Sequence, residues 1–490
     1  MTYPFEKSEE MKKIFTTLFL AVLAVHSFAQ VSWTTPVTVY NGSGSNLHPR
    51  VSLNRSGNPV ILWGKTDTRA YFSRWTGTAF TAPTTVSGSL NVFAQSWAGP
   101  DMATHGDTIY VAMKVTPENI STHYTYLAHS YDGGMTFSAP IRVDNIDTSL
   151  SRFPIVTTTS TGNPLVAFMK FNTMFADAHY VVCRSTDFGA TFSGDVLASG
   201  SAGTVCDCCP ASIISSGSNA IMLFRNDLSN IRDIWAGVSP DGGMTFPGHM
   251  AVDNTNWLIT SCPATGPDGF VIGDSIYSTF MSTGTGTALA YLSKSSISGL
   301  SSTSTTPITG TFTGLNSQNY PRIANYGNAA TAVWKQNTTS GTTIEYAFTN
   351  NIANGFTTHT TVATGSGLMN ADVAMANGVI HIVWEDDNTS NLMYMKGTYT
   401  PATTSVPVVS KELIDVYPNP ASGSFSFNVA SMGTISSCYL TNNIGRNFEL
   451  QPIIKDGKAT VSLVGIAKGA YYFVINDDAG KTFYSKIVVE

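Results

Sequence analysis

Hydrophobic runs of four or five residues recur along the middle of the chain at intervals of about 50 residues. They lie at 60–63, 110–113, 165–168, 221–224, 277–280, 331–334 and 380–384, and the fifth is the weakest. A β-rich stretch opens 9 to 14 residues before the start of each run, at Pro49, Pro100, Pro154, Pro210, Pro263, Pro321 and Ala371. Several strands within a fixed period of this length are typical of a β-propeller with four-stranded blades. The sequence therefore predicts an all-β chain in which each of these positions starts the innermost strand of a blade.

The number of blades follows from the number of repeats. Seven units lie between residues 48 and 400, and the last contains only three predicted strands. Residues 32–39 resemble the fourth strand of other units, such as residues 137–143. We therefore expect the N-terminal strand to complete the last blade and close the ring, which leaves no exposed sheet edge there. Seven blades are favoured; the alternative is a ring of six with one additional hairpin unit.

A second repeat marks one turn in three of the units. The pattern Ser-x-Asp-x-Gly-x-Thr-Phe begins at residues 130, 185 and 239, which are 55 and 54 residues apart. In a tight hairpin turn the Asp carboxylate accepts hydrogen bonds from the turn's amides, the Gly adopts a positive φ, and the Phe enters the core. We therefore interpret Asp132, Asp187 and Asp241 as structural residues on the face opposite the starts of the innermost strands.

The two ends of the chain differ from the repeats. Residues 1–29 have the features of a signal peptide: a basic start at residues 11–13, an apolar run at 14–25 and a small-x-small cleavage site at 27–29. Met11 is the alternative initiator. The stretch 30–400 is the predicted propeller, and 401–410 is an uncharged linker. Residues 411–490 contain short alternating strands of the length and spacing of a small β-sandwich.

Composition and charge narrow the classes of function. The chain has 26 Lys and Arg against 32 Asp and Glu, and only 12% of its residues are charged. Without a basic excess or a basic run, nucleic acid is not an expected partner. Beyond the N-terminus no apolar stretch is long enough for a membrane helix, so no transmembrane segment is expected in the mature chain. Metal-binding histidine clusters, a phosphate-binding loop and a dinucleotide-binding motif are absent from the sequence, and no cofactor is predicted.

Because an exported chain enters an oxidising compartment, the cysteines at 206, 208, 209 and 262 are interpreted as disulfide-forming, whereas Cys183 and Cys438 are interpreted as buried free thiols. Cys209 and Cys262 each immediately precede the proline of a unit, and equivalent positions in successive blades are neighbours. We therefore predict a Cys209–Cys262 bridge, with Cys208 as the alternative if the register is shifted by one residue. A thiolate metal site that includes Cys206 is the less favoured interpretation, because no spaced histidines accompany it.

One face of the predicted propeller gathers charged residues at strand starts and ends. The positions at the starts of the innermost strands and at the ends of the second strands carry eight Lys and Arg against four Asp and Glu. The overall charge of the chain is −6. Such a basic funnel favours an anionic ligand. The predicted ligand-binding residues are Arg50, Arg152, Arg225, Arg322, Lys65, Lys335 and Asp101. The alternative is that these side chains pair with one another or are solvated on loops.

The turn repeat resembles the Asp-box (BNR) repeats of sialidase-like propellers. The C-terminal residues 416–420, 423–427, 469–472 and 486–489 resemble the sorting domain of the type IX secretion system of Bacteroidetes. The second resemblance implies that residues 411–490 are read by the secretion machinery, and that the protein crosses the periplasm to be released or attached at the outer membrane.

The first resemblance implies an exo-glycosidase that hydrolyses terminal sialic-acid-type sugars on an acidic glycan or glycoprotein. Sialidases use a tyrosine nucleophile, which a glutamate polarises, and Glu385 is the candidate for that glutamate. The tyrosine and the acid/base aspartate are not assigned to positions of this chain. The alternative function is a non-catalytic propeller that binds glycan or protein at the cell surface.

Overall fold

Short β-strands follow one another along almost all of the chain that the computed structural model describes. The described residues are 31–144, 149–201, 203–309, 317–401, 411–430, 432–442, 447–478 and 481–490. The predicted signal peptide lies outside them, as does the predicted linker except for residue 401. The chain divides into two compact units, residues 1–402 and 403–490. Among the described residues, no helix has the length and apolar character needed to cross a membrane.

The N-terminal unit contains seven antiparallel sheets, which we number as blades 1 to 7 in chain order. They are preceded by two short strands, β1 (Ser32–Trp33) and β2 (Val37–Tyr40). Blade 1 contains β3 (Asn46–Leu53), β4 (Pro59–Lys65), β5 (Ala70–Arg74) and β6 (Thr84–Thr85). Blade 2 contains β7 (Asp101–His105), β8 (Thr108–Lys114), β9 (Thr125–Ser130) and β10 (Ile141–Arg142). Blade 3 contains β11 (Leu150–Thr158), β12 (Pro164–Phe171), β13 (His179–Arg184) and β14 (Val196–Leu197).

The remaining four blades share the same antiparallel arrangement, but blade 4 has an additional short strand and blade 7 supplies only three strands of its own. Blade 4 contains β15 (Thr204–Val205), β16 (Ser212–Ser216), β17 (Asn219–Asp227), β18 (Ile234–Ser239) and β19 (Gly248–Ala251). Blade 5 contains β20 (Asp268–Ile272), β21 (Ser275–Ser282), β22 (Leu289–Ser296) and β23 (Ser301–Pro307). Blade 6 contains β24 (Ser317–Tyr326), β25 (Ala329–Thr338), β26 (Gly341–Thr349) and β27 (His359–Gly365), with a 3₁₀ turn at Ile352–Asn354. Blade 7 contains β28 (Leu368–Ala376), β29 (Val379–Asp386) and β30 (Asn391–Thr398).

The ring is closed by the N-terminal strands. Both β1 and β2 pair antiparallel with β30, with Ser32 opposite Thr398 and Val37 opposite Tyr394. The innermost strands contact their neighbours around a full circle, from β3 through β7, β11, β16, β20, β24 and β28 back to β3. The predictions of seven blades and of closure by the N-terminal strand are confirmed.

The cores lie between successive blades, and the seven hydrophobic runs explain why. Each run falls in the second strand of its blade, in β4, β8, β12, β17, β21, β25 or β29. These strands are buried on both faces, so they appear in sequence as continuous apolar runs instead of alternating ones. One cluster joins Val60 and Phe72 of blade 1 to Ile109 and Val111 of blade 2.

The predicted register is wrong in blade 5. Its innermost strand begins at Asp268, directly after Pro267, and Pro263 lies in the preceding loop. Two prolines four residues apart both fit the repeat spacing. The pairing of β20 with β21, in which Asp268 lies opposite Thr279, decides between them.

The C-terminal unit consists of two sheets around one core. One sheet has the order β31-β39-β38-β34-β35 and the other β32-β33-β37-β36. Their strands are β31 (Lys411–Leu413), β32 (Val416–Tyr417), β33 (Ser424–Asn428), β34 (Ile435–Thr441), β35 (Asn447–Glu449), β36 (Ile453–Lys455), β37 (Lys458–Ser462), β38 (Gly469–Asp477) and β39 (Thr482–Val489). Phe425 of one sheet meets Phe473 of the other, with ring centroids 4.7 Å apart. This is the predicted β-sandwich.

Candidate functional site

A cavity of about 470 Å³ lies at the centre of the ring, lined by the innermost strands of all seven blades. Its lining includes several successive residues of most of these strands, such as 320–325 of β24 and 370–375 of β28, so the cavity extends along the axis and we call it the channel. At its mouth, four residues have a left-handed backbone (φ 40–56°): His48, Phe153, Tyr320 and Asn370. Each lies where the pairing of its strand shifts register. Such bulges redirect side chains, and all four residues line the channel.

Five charged residues form a ring just inside the mouth, which we call the throat ring: Asp268, Arg322, Asp372, Arg50 and Asp101. Arg322 Nε lies 2.9 Å from Asp372 Oδ1 and 3.4 Å from Asp268 Oδ2, and Arg50 Nε lies 3.2 Å from Asp101 Oδ1. With two arginines and three aspartates, the throat ring carries one more negative than positive charge. Its arginines are therefore neutralised by direct neighbours.

The aspartates of the throat ring also join successive blades. Asp372 Oδ2 accepts a hydrogen bond from the Val51 amide, and Asp268 Oδ2 accepts one from the Ile323 amide, each at 2.9 Å. Asp101 Oδ2 likewise accepts a hydrogen bond from a backbone amide of the innermost strand of blade 3. Each carboxylate thus satisfies an amide of the neighbouring blade's innermost strand, which pairs with another strand on one side only.

Glu385 lies behind the mouth, between blades 7 and 1. Its side chain is fully buried, and Oε1 accepts hydrogen bonds from the His48 amide and from Asn370 Nδ2. Oε2 has no hydrogen-bond partner among the described residues. Burial raises the pKa of Glu385 to about 8, so the carboxyl is largely protonated at neutral pH.

Tyr320 and His48 flank this carboxyl. Burial, and then the charge of Glu385, raise the pKa of Tyr320. Arg50 donates a hydrogen bond from Nη2 to His48 Nε2, so the neutral imidazole carries its proton on Nδ1, which lies 3.4 Å from the Ser96 carbonyl. Burial and the charge of Arg50 hold the pKa of His48 well below its usual range. Tyr320 thus lines the channel, near enough to Glu385 for the charge of that buried acid to act on its pKa.

The other predicted ligand residues divide into two groups. Arg152 lies close to the mouth: its guanidinium is 4.5 Å from the Phe153 ring and 5.9 Å from the Trp97 ring, and its Nε is 2.9 Å from Glu118 Oε2. Both aromatic rings line the channel. An aromatic face beside a cation is therefore present at this side of the mouth.

Arg225, Lys65 and Lys335 do not line the channel among the described residues. Arg225 is fully buried and donates to three backbone carbonyls, those of Thr265, Arg232 and Met281. Lys65 lies over the rings of Tyr40 and Tyr71. The three side chains support the surrounding blades and are not brought together with Arg50 and Arg322.

The predicted excess of positive charge at strand starts and ends is offset by carboxylates at other positions of the chain. Asp268 pairs with Arg322, Glu118 with Arg152, and Asp195 with Lys170 at 2.6 Å. These acids lie on loops or, for Asp268, on a strand whose start the repeat misplaced. A ligand-binding role for the arginines stays a prediction, but a carboxylate clamp of three unpaired guanidiniums is not found in the described part of the chain.

The disulfide joins Cys262 to Cys208, with Cα atoms 6.0 Å apart. The predicted Cys209–Cys262 bridge is therefore wrong by one residue, and the alternative partner is the correct one. The misplaced start of blade 5 is one reason, because Cys262 does not occupy the position equivalent to Cys209. The other is that Cys209 is buried and faces Cys206, with 3.0 Å between the two sulfur atoms.

The three repeated turns have the hydrogen bonds expected from their sequence. Asp132 Oδ1 accepts from the amides of Met135 and Thr136 at 2.9 Å, and Oδ2 accepts from the Thr136 hydroxyl at 2.6 Å. Asp187 and Asp241 have corresponding bonds. Burial alone favours the protonated acid, but these bonds lower the pKa of Asp132 and Asp241 to about 2. The turns join third and fourth strands, at the end of the blades away from the mouth.

The sequence reasoning missed Tyr320, Asn370, Asp268 and Glu118. Tyr320 and Asn370 directly precede the position that opens an innermost strand, as His48 does, so the repeat register already contained the signal for them. Asp268 was missed because Pro263, and not Pro267, was taken as the start of the innermost strand of blade 5. Glu118 lies on a loop, where the repeat gives no positional signal.

Comparison with solved structures found propellers of several carbohydrate-active proteins. Trypanosoma rangeli sialidase in complex with the inhibitor DANA is 10% identical, with 94% of this chain and 89% of that chain covered and a TM-score of 0.42. An ulvan lyase of polysaccharide lyase family PL25 is 11% identical (78% and 98% covered, TM-score 0.48). The arabinofuranosidase Arb93a from Fusarium graminearum is 10% identical (66% and 99% covered, TM-score 0.46). At these identities and TM-scores, the likenesses carry no information about the activity of this chain. Comparison with curated proteins found no match.

The C-terminal unit has a clear family assignment. Residues 415–490 match the family described as secretion system C-terminal sorting domain, which covers every strand of the sandwich after β31. Domains of this type direct proteins through the type IX system to the cell exterior or the outer-membrane surface. Residues 415–490 are therefore a secretion system C-terminal sorting domain, attached to a seven-bladed propeller that the cell exports.

Proposed function

We propose that the propeller is an exported glycoside hydrolase that acts on acidic sugars at the mouth of its channel. The observation that carries the proposal is the placement of Tyr320 at the mouth with the buried carboxyl of Glu385 behind it. Sialidases are the exception among glycosidases in using a tyrosine nucleophile. A tyrosine is a weak nucleophile at its ordinary pKa and needs a neighbouring base, a role that we assign to Glu385 because its charge acts on Tyr320.

In this mechanism the residues have separate tasks. Ionised Glu385 accepts the phenolic proton, the Tyr320 oxygen forms a bond to the anomeric carbon, and the glycosidic bond breaks. The aglycone oxygen leaves and takes a proton from solvent. Water then attacks the anomeric carbon, its hydroxyl stays on the sugar and its proton goes to solvent, the Tyr320–glycosyl bond breaks, and Glu385 returns the phenolic proton to the Tyr320 oxygen. Because Glu385 acts only when ionised and its pKa is raised to about 8, turnover should rise as the pH increases through about 8.

The sugar is expected to lie against the aromatic side of the mouth. Trp97 is partly exposed and offers an apolar ring, and Arg152 beside it offers a guanidinium that attracts a carboxylate. Since Arg152 is near the surface, its contribution should be screened by salt. Binding of an acidic oligosaccharide should therefore weaken as salt is added, and binding of a neutral one should not.

A second candidate function is glycan binding without catalysis. It is favoured by the pairing of Arg50, Arg152 and Arg322 with carboxylates. These pairs leave no unpaired clamp for a substrate carboxylate among the described residues.

A panel of fluorogenic glycosides, with sialoside and uronide members beside neutral ones, separates the two functions. We expect turnover of an acidic member by the full-length protein and at least about a 100-fold loss in Tyr320→Phe and Glu385→Gln. Tyr326→Phe is the matched control, because Tyr326 is an exposed tyrosine at the far end of the same strand. Turnover that survives in Tyr320→Phe would contradict the mechanism. Salt-sensitive binding with no turnover of any glycoside would establish the second function instead.

A further inference from the structure

In the loop between β15 and β16 of blade 4, a buried pair of thiols lies in contact with a disulfide whose second cysteine, Cys262, is exposed. Cys206 Sγ lies 3.0 Å from Cys209 Sγ and 3.6 Å from Cys208 Sγ. Cys208 is bonded to Cys262, which is exposed, whereas Cys206 and Cys209 are free and fully buried. Four sulfur atoms therefore connect the interior of the propeller to its surface.

The surroundings of Cys206 favour its thiolate. Arg232 donates a hydrogen bond from Nη1 to Cys206 Sγ at 3.0 Å. The hydrogen bond from Cys209 lowers the pKa of Cys206 to about 6 in spite of burial, and the positive charges of Arg232 and Arg225 act in the same direction. Burial raises the pKa of Cys209 well above its usual range. Cys206 is thus the nucleophile of the pair and Cys209 is the proton-bearing partner.

We propose that Cys206 and Cys209 are a redox-active dithiol that is oxidised to a second disulfide through the Cys208–Cys262 bridge. In the first step the Cys206 thiolate attacks Cys208 Sγ. The Cys206–Cys208 bond forms, the Cys208–Cys262 bond breaks, and Cys262 leaves as a surface thiolate. In the second step Cys209 gives up its proton to solvent and attacks Cys206 Sγ. The Cys206–Cys209 bond forms and Cys208 leaves as a thiolate.

These two exchanges conserve electrons, because one disulfide and two thiols are present before and after them. The net oxidation comes from outside. A small disulfide such as oxidised glutathione takes two electrons from the Cys208 and Cys262 thiolates, restores their bridge, and is released as two thiolates that take their protons from solvent. The route through the bridge is required because Cys206 and Cys209 are 0% and 1% exposed, so an oxidant of this size does not reach them directly.

The test is a count of thiols in the full-length protein before and after incubation with oxidised glutathione. Samples are denatured, alkylated with iodoacetamide and digested with trypsin. Before oxidation four cysteines should be alkylated: Cys183, Cys206, Cys209 and Cys438. After oxidation we expect two alkylated cysteines, because both cysteines that lose their alkylation lie on the peptide 185–225. This peptide carries three cysteines and stays linked through Cys208 to the peptide 233–294. Protein that is purified with this second bridge already formed supports the proposal equally.

Three variants make the result specific. Cys206→Ser should keep all three of its remaining free thiols. The double variant Cys208→Ser/Cys262→Ser, which lacks the bridge, should oxidise its buried pair at least about tenfold more slowly than the wild type. Cys183→Ser removes a buried free thiol from another blade and should oxidise its pair at the wild-type rate.

The proposal is overturned if all four thiols remain alkylated after excess oxidised glutathione. It is also overturned if the double variant oxidises as fast as the wild type. Native mass spectrometry provides the third criterion, because a metal ion retained in the wild type and lost in Cys206→Ser would make the pair a metal site instead.

Discussion

Removing the carboxylate of Asp372 is expected to loosen the ring of blades at its most connected point. Asp372 Oδ1 accepts a hydrogen bond from Arg322 Nε, and Oδ2 accepts one from the Val51 amide, both at 2.9 Å. One side chain of blade 7 thus holds blade 6 and blade 1. In Asp372→Ala, Arg322 keeps only Asp268 at 3.4 Å, and the Val51 amide loses its partner.

The size of the effect follows from these two losses. Breaking a buried ion pair by removing one partner costs about 3–5 kcal/mol, and a buried amide left without a partner costs about 1–3 kcal/mol. The two terms share one group and do not add. Since the side chain of Arg322 is 24% exposed to the channel, we expect a loss near the lower limit, about 3 kcal/mol. For a propeller of about 370 residues, the average entropy of unfolding converts this loss into a fall in Tm of about 4 °C.

Tryptophan fluorescence is the assay of choice, because all eight tryptophans precede residue 400 and report on the propeller within the full-length protein. Asp372→Asn keeps an oxygen acceptor for Val51 but loses the charge, so its Tm should fall between those of wild type and Asp372→Ala. Arg55→Gln is the control: Arg55 pairs with Asp107 at 3.4 Å, but their side chains are 78% and 44% exposed, and the change should cost less than about 1 kcal/mol. A Tm of Asp372→Ala equal to that of Arg55→Gln would refute the idea that the throat ring holds the blades together.

Three further outcomes are expected from the same measurement. Burial raises the folded-state pKa of Glu385, so the wild type loses stability as the pH rises from about 4.5 to about 8. Glu385→Gln should therefore become more stable relative to wild type over that pH range. A stability difference that does not change with pH would contradict a buried acid at this position. Asp241→Ala should cost about 1 kcal/mol, comparable to the loss of a helix N-cap, and an unchanged Tm would show that its turn is dispensable. A chain that ends at Pro401 should unfold cooperatively with the Tm of the full-length propeller, whereas an aggregated product would place the boundary elsewhere.

The sequence alone determined the architecture. The seven blades follow from the spacing of their second strands, because a strand buried on both faces must be apolar throughout and therefore leaves a continuous signal. The turns at Asp132, Asp187 and Asp241 follow from local chemistry, since every group involved lies within eight residues. The C-terminal sandwich follows from alternating strands and from the residues that resemble a sorting domain.

Only the tertiary structure decided what the charged and sulfur-containing side chains do. The chain does not encode in any local pattern that Arg322 meets Asp372, 50 residues away, or that Cys262 bonds to Cys208 instead of Cys209. Such contacts depend on register: a shift of one residue turns a side chain to the other face of its strand, and a second proline four residues away misplaced a whole strand start. A count of charges at repeat positions does not reveal ion-pair partners that lie on loops, such as Glu118. The throat ring and the buried acid behind Tyr320 therefore appear only when all seven innermost strands are set side by side.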